Sequence, residues 1–207
     1  MKNLIVFCVA VFLSVSLTAN DFRTSQSPPP GTVRLEPSET GIKHAEYIDE
    51  TVIKIVNWLQ YVHWTRREYG EQSTEYKNVL PDTLILQKFL SAPSLSHWRH
   101  PSYHTYALVG ISYEQAMKYC EWRTNRVNEL LEKTGMIYTV SYSLPTEVDF
   151  QEAYKQQKKI ALNIAADVQE ITEGKTVALD QAKALSFQPY RELDDKIGFR
   201  CVAKIIE

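Results

Sequence analysis

Apolar and polar positions change period several times along this chain, and each change marks an element. The stretch 103–131, YHTYALVGISYEQAMKYCEWRTNRVNELL, is the one the others are arranged around. It begins as a short apolar run that predicts a buried strand. From Ser112 onward the apolar positions return at helical spacing: Ala116, Tyr119, Cys120, Val127, Leu130 and Leu131 form one stripe. Glu114, Lys118, Glu121, Arg126 and Glu129 take the wetter positions. Ser112 is a good helix N-cap, and Gln115 three residues on completes a capping box. Gly135 supplies the stop. The helix carries a cysteine on its buried side.

The same reading covers most of the remaining chain. Residues 32–35 predict a short edge strand. Residues 50–69 predict a helix with Val52, Ile55, Val56 and Leu59 on one face. Pro81 breaks that pattern, and 83–90 is a short helix or strand that the periodicity does not type. Residues 91–106 form an aromatic, histidine-rich loop. Alternation over 138–142 predicts a strand. Thr146 as N-cap and Asp149 in the box position open a helix from Glu147 to about residue 158. Residues 160–186 take no assignment, and 197–204 predict a closing strand.

The two ends need different treatment. Residues 1–20 have the form of a signal peptide, with Lys2 as a small positive start and an apolar run over 4–17. That run is too short to span a bilayer comfortably, so no membrane span is expected after its removal. Cleavage fits after Ala19 or Asn20, and a retained anchor is the competing reading. Cys8 follows the bulky Phe7, a poor context for lipid attachment. Residues 21–31 form a proline-rich linker, with three consecutive prolines favouring extended polyproline geometry. Residues 32–207 make one domain.

Composition narrows the function classes. A hydrophobic fraction of 44%, with four Trp, twelve Tyr and seven Phe, is that of a folded domain. Net charge of -2 gives no basic footprint for nucleic acid. Only seven glycines occur, and neither GxGxxG nor GxxxxGK is among them, which argues against a phosphate-cradling loop.

The cysteines carry the sharpest inference. There are three, and loss of the signal removes Cys8 and leaves Cys120 and Cys201, an even pair in an oxidising compartment. A bridge between them would close a loop of about 80 residues, worth roughly 4 kcal/mol in the chain-entropy model. It would tie the central helix to the last strand. The alternative is two free thiols, one of them a nucleophile. Other chemistry is thinly supported. His97, His100 and His104 have metal-like spacing, but Pro101 breaks any shared helical face, which favours loop packing. Glu147 and Asp149 at a helix start fit cap and dipole partners better than a catalytic pair. No HExxH, CxxC or GxSxG occurs. The rings of Trp98, Tyr103 and Tyr106 offer a weak carbohydrate or peptide surface, against core packing as the plainer role.

Several of these residues also carry a resemblance. Val109-Gly110-Ile111-Ser112-Tyr113-Glu114-Gln115-Ala116 followed by Tyr119-Cys120-Glu121-Trp122-Arg123 is similar to the V-x-x-S-W-x-x-A-x-x-Y-C-x-W signature of the formylglycine-generating enzyme family, the sulfatase-modifying factor domains. Leu144-Pro145-Thr146-Glu147 resembles that family's L-P-T-E helix start, and Gly198-Phe199-Arg200-Cys201 its terminal G-F-R-C. Ile48-Asp49-Glu50-Thr51 with Asn57 is more loosely similar to its early strand and helix. The resemblance spans most of 32–204. It is nearest to the branch containing gliding-motility and type IX secretion lipoproteins.

The resemblance implies an α+β, irregular, C-type-lectin-like fold. It also implies that Cys120 and Cys201 match the family's structural bridge. The family's enzymes oxidise a protein cysteine with two further, copper-binding cysteines in a segment before G-F-R-C. Here about 50 residues separate Glu147 from Gly198, and none is cysteine. The expectation is therefore a non-catalytic pseudoenzyme: an exported binding or scaffold protein of the periplasm or outer cell envelope, with an envelope protein as partner. The alternative is a shortened oxidoreductase of the same family acting on protein cysteine. The segment 163–172 resembles a decayed copy of the family's calcium site, in which Asp167 and Glu170 keep hard oxygens, so calcium is the one cofactor admitted, as a weak site.

Overall fold

Ser112 and Gln115 do close on each other. The Gln115 amide donates to Ser112 Oγ at 3.2 Å, and the Ser112 amide donates to Gln115 Oε1 at 2.8 Å. The computed structural model describes residues 28–38, 41, 43–157, 168–191 and 196–206. The expected signal segment and most of the linker lie outside these. In chain order the elements are β1 (Thr32–Arg34), β2 (Tyr47–Asp49), α1 (Ile55–Tyr69), α2 (Thr74–Asn78), α3 (Thr83–Leu90), short 3-10 turns at His97–Arg99 and Pro101–Tyr103, α4 (Tyr113–Lys133), β3 (Thr139–Ser143), α5 (Glu147–Gln156), β4 (Gln169–Thr172), β5 (Lys175–Leu179), β6 (Leu185–Pro189), β7 (Ile197–Phe199) and β8 (Val202–Ile206). Among the described residues no helix is long and apolar enough to cross a membrane.

The architecture is mixed α and β, with two four-stranded sheets among the described residues. The first has the order β1-β2-β8-β3 and is antiparallel throughout. The second has the order β6-β5-β4-β7, with β4 and β7 parallel. Side chains alternate across the first sheet, so both of its faces can be buried. Tyr47, Val140, Tyr142, Ala203 and Ile205 join the main core with Ala116, Tyr119 and Cys120 of α4. Ile48 and Val202 point the other way and pack with Leu35, Ala45 and Ala153 of α5. The main core is centred on Trp58 of α1, whose ring stacks on Tyr119 at 5.4 Å and meets Phe199 edge-on at 6.0 Å.

Three expectations are corrected, and one that was left open is decided. Helix α1 starts at Ile55, not at residue 50. The backbone just before it is committed elsewhere: the Ile53 amide donates to Phe199 O at 2.7 Å, and Leu108 donates to Ile53 O at 2.9 Å. The apolar run before α4 is buried and extended, but it joins no sheet and makes a single bridge, Lys54 with Ala107. The untyped 83–90 is a helix, capped by Asp82 Oδ1 accepting from Leu84 and Ile85. The closing strand is two strands in different sheets, β7 and β8, and the chain changes sheets at Arg200 and Cys201. Gly198 permits that crossing: a Cβ there would lie 2.9 Å from Leu108 O.

The region that took no assignment, 160–186, holds β4, β5 and the start of β6, while its residues 160–167 lie outside the described residues. Elsewhere the expected elements form within a residue or two. Thr146 and Asp149 cap α5, with the Thr146 amide donating to Asp149 Oδ2 at 2.7 Å.

Candidate functional site

The two cysteines that sequence arithmetic paired are brought together. Cys120 lies on the buried face of α4 and Cys201 at the corner between β7 and β8, and their sulfurs face each other at 3.0 Å as a dithiol. Both are buried, at 2% and 0% exposure. Burial pushes the Cys201 thiol well above its usual range, and the neighbouring sulfur and the Asp49 carboxylate add to that. A thiolate is the reactive form of cysteine, so this setting suppresses nucleophilic sulfur chemistry.

A polar network surrounds the sulfurs. Asp49, the last residue of β2, accepts at Oδ2 from the Cys201 amide and from Arg123 Nη1, both at 2.8 Å. Arg123 also donates to Pro30 O at 2.7 Å and lies over the Tyr142 ring at 4.2 Å. Burial alone would disfavour the Arg123 charge, but Asp49 beside it holds the guanidinium charged well above its ordinary value. Arg200 is fully buried and forms a bidentate pair with Glu170, Nε to Oε2 at 2.5 Å and Nη2 to Oε1 at 2.7 Å. Its Nη1 donates to Asp49 O at 3.0 Å. The network thus ties the corner between the sheets to β2, β4 and α4.

The weaker candidates scatter. Glu170 has both carboxylate oxygens engaged by Arg200, so for it to hold calcium Arg200 would have to withdraw; Asp167 lies outside the described residues. Trp98 is 2% exposed and belongs to the core, so it offers no contact surface. Tyr103 is half-buried against that core, and Tyr106 is the one open ring of the three, 5.8 Å from Tyr103. The loop histidines do not converge on one point: His97 reaches Ser94, His100 reaches Ser102, and His104 reaches Arg99 O. Among the described residues no group of three or more His, Cys, Asp or Glu is placed to hold a metal ion.

The opposite side of α4 carries a feature the sequence reading missed. A cleft of about 370 Å³ opens between α1, α2 and α4. Its walls include Tyr61, Trp64 and Tyr69 from α1 and Trp122 and Arg126 from α4. Trp64 meets Tyr69 edge-on at 6.2 Å, and the Arg126 guanidinium lies 4.5 Å from the Trp64 ring centre. Tyr61 and Trp122 are 5.1 Å apart. Burial, with the Glu121 carboxylate and Tyr69 adding to it, pushes the Tyr61 phenol up to about 12. A signal was present: Trp64 and Tyr69 fall off the apolar stripe of α1, and Trp122 and Arg126 are four apart on the polar side of α4.

No family model, curated protein or solved structure matches this chain.

Proposed function

We propose that this chain is an exported, non-catalytic binding protein of the cell envelope, a pseudoenzyme built on the fold of the formylglycine-generating enzyme family. We place it in a secretion or gliding-motility assembly, with an envelope protein as partner. The observation that carries the reading is the arrangement of the sulfurs. Both cysteines expected in the exported chain are buried face to face, where neither can meet a substrate thiol or bind copper from solution. An oxidoreductase of cysteine needs an accessible, ionisable sulfur. The family part of the proposal draws support from where its motifs fall. Ser112 caps α4, Thr146 caps α5, and Gly198-Phe199-Arg200-Cys201 makes the corner between the sheets. These are positions where the residue types have specific structural work.

Titration of free thiols in the exported, mature protein tests it. We expect the facing sulfurs to be bridged in the exported protein, giving no reactive thiol before reduction, native or denatured, and two after reduction and denaturation. A fast-reacting thiol in the native protein overturns the reading and favours the shortened oxidoreductase. Affinity purification of a tagged copy from its own cells tests the partner: a stoichiometric envelope protein is expected, and recovery of the chain alone counts against the scaffold role.

A further inference from the structure

The cleft between α1, α2 and α4 combines aromatic walls with charge in a way that selects a ligand. Its volume, about 370 Å³, is at the small end of ligand sites. Four charged side chains line it: Glu75, Lys118, Glu121 and Arg126. The charges of the two cations are already paired, although Arg126 Nε and Trp122 Nε1 are buried donors with no acceptor among the described residues. Lys118 pairs with Glu114 at 2.9 Å, and Arg126 pairs with Glu129 while resting on Trp64. Arg66, on the exposed side of α1, is held by Glu71 at 3.2 Å. The two carboxylates, Glu75 and Glu121, make no ion pair with any described residue. The walls facing them are rings whose faces attract cations.

Tyr61 adds an independent observation. It is 7% exposed, it lines the cleft, and its hydroxyl makes no hydrogen bond with any described residue. Tyr61 shares the cleft wall with Glu121 and Tyr69. The ring is buried while the unpartnered hydroxyl stays accessible, so a ligand can reach it without displacing a protein group. An N–H donor from a ligand would satisfy it.

We infer that this cleft binds an organic cation, a primary ammonium or guanidinium carried on a hydrocarbon stem. The stem lies against Trp64, Tyr69 and Trp122, and the charged head meets Glu121, Glu75 and the Tyr61 oxygen. An anion would meet two unbalanced carboxylates, and Arg126 is already engaged. A neutral sugar would use the rings but leave the carboxylates uncompensated. The cation can arrive as a free amine or as a lysine or arginine side chain of a partner protein. The inference extends the binding reading above, but its test is independent of the thiol titration, because neither cysteine touches the cleft.

Calorimetric titration of the full mature chain with three probes tests it: cadaverine, the blocked peptide Gly-Gly-Lys-Gly-Gly, and the blocked peptide Gly-Gly-Gln-Gly-Gly. Saturable binding of cadaverine or the lysine peptide is expected, with Kd on the order of 0.1–1 mM, weakening as salt rises. Glu121→Gln and Glu75→Gln lie at exposed positions and should leave the circular dichroism spectrum unchanged while each weakens binding about tenfold, an effect of ~1.4 kcal/mol. Tighter binding of cadaverine points to a free amine, and tighter binding of the lysine peptide to a presented side chain; either supports the site. Equal affinity for the glutamine peptide, unchanged affinity in both folded variants, or no saturation by ~10 mM cation overturns it.

Discussion

Helix α4 has charge on both of its sides, organised in opposite ways. On the inner side, Arg123 meets Asp49, Arg200 meets Glu170, and the cysteine sulfurs face each other, all in the dark of the core. On the outer side, Glu121 stands beside Tyr61 and Trp122 without a cation of its own, around an open cleft. Both sides mix aromatic rings with charge, so composition alone does not separate them. Closure does. Where every charge is matched and water is excluded, the arrangement fixes geometry. Where carboxylates are left over at an open aromatic wall, the arrangement is available for contact. The Y-C-x-W motif straddles the two sides: Tyr119 and Cys120 face the core, and Trp122 lines the cleft.

The strongest way to break this contrast is to unbalance the inner side. Glu170→Ala leaves the Arg200 guanidinium buried at 0% exposure without its bidentate partner. A loss of about 3–5 kcal/mol in urea unfolding is expected, because an uncompensated buried charge is costly. Joint replacement by apolar residues, Glu170→Leu with Arg200→Met, should recover most of that loss. A cost for Glu170→Ala below about 1 kcal/mol would mean that water reaches the pair and the centre is not sealed.

The sulfurs give the next largest effect. Oxidising the dithiol to a bridge should stabilise the chain by about 2–4 kcal/mol, the typical range for a disulfide. The two redox forms should also differ in pH dependence. With its thiol pushed up by burial, Cys201 stays protonated in the folded, reduced chain, whereas an unfolded cysteine ionises near pH 8.5. Above that pH the unfolded chain binds fewer protons, so stability of the reduced form falls as pH rises, by at most ~1.4 kcal/mol per unit for this group. The bridged form lacks that thiol proton and should fall less steeply between about pH 8.5 and 10; the buried phenols of Tyr61 and Tyr142, both pushed up to about 12, add a decline towards pH 10 that the two forms share. Denaturant midpoints of both forms across that range check the sign.

How far these regions could be read from the chain follows the same division. The capping boxes at Ser112 and Thr146 and the stripe of α4 are local patterns, and they form as expected. That Cys120 and Cys201 lie close together was legible by counting, whereas the bridge between them is a matter for the thiol titration. Arg200 and Glu170 were not, because a charged residue within a strand reads as a wet position until its partner from another strand is known. That is why β4, with Glu170 in its middle, went unassigned. The split of 197–204 into two strands escaped for a related reason: Asp49, about 150 residues earlier, takes the Cys201 amide and turns the corner. The cleft is built from α1 and α4 together, and each contributes rings that look merely off-stripe in its own sequence.

A third test concerns the edge of the first sheet, which α4 also closes. β3 is an outer strand, and its free backbone groups are covered by side chains from the helix. Asn128 Nδ2 donates to Val140 O at 2.9 Å, Asn128 Oδ1 accepts from Val140 N at 2.8 Å, and Thr124 Oγ1 accepts from Tyr142 N at 2.9 Å. Unpaired edges template association, and Asn128 here imitates a neighbouring strand. Asn128→Ala should cost about 1–2 kcal/mol and raise concentration-dependent aggregation, read by light scattering. Unchanged stability and unchanged scattering would show that the edge needs no cover and that α4 seals only the core.

The smallest expected effect on stability is the most informative about the outer side. Tyr69 ends α1, is 52% exposed, and touches Trp64 edge-on at 6.2 Å. If it served the fold, its truncation would loosen the packing of α1 on α4. If it serves the cleft, the fold should not notice. Tyr69→Ala is therefore expected to shift unfolding by less than about 0.5 kcal/mol, yet to weaken cadaverine binding several-fold, since one aromatic face is lost. A destabilisation beyond about 1 kcal/mol with unaltered binding would place Tyr69 with the core and leave the cleft as a packing seam. The two sides of α4 would then differ only in depth, because a wall that holds the helices together is not a wall kept free for a ligand.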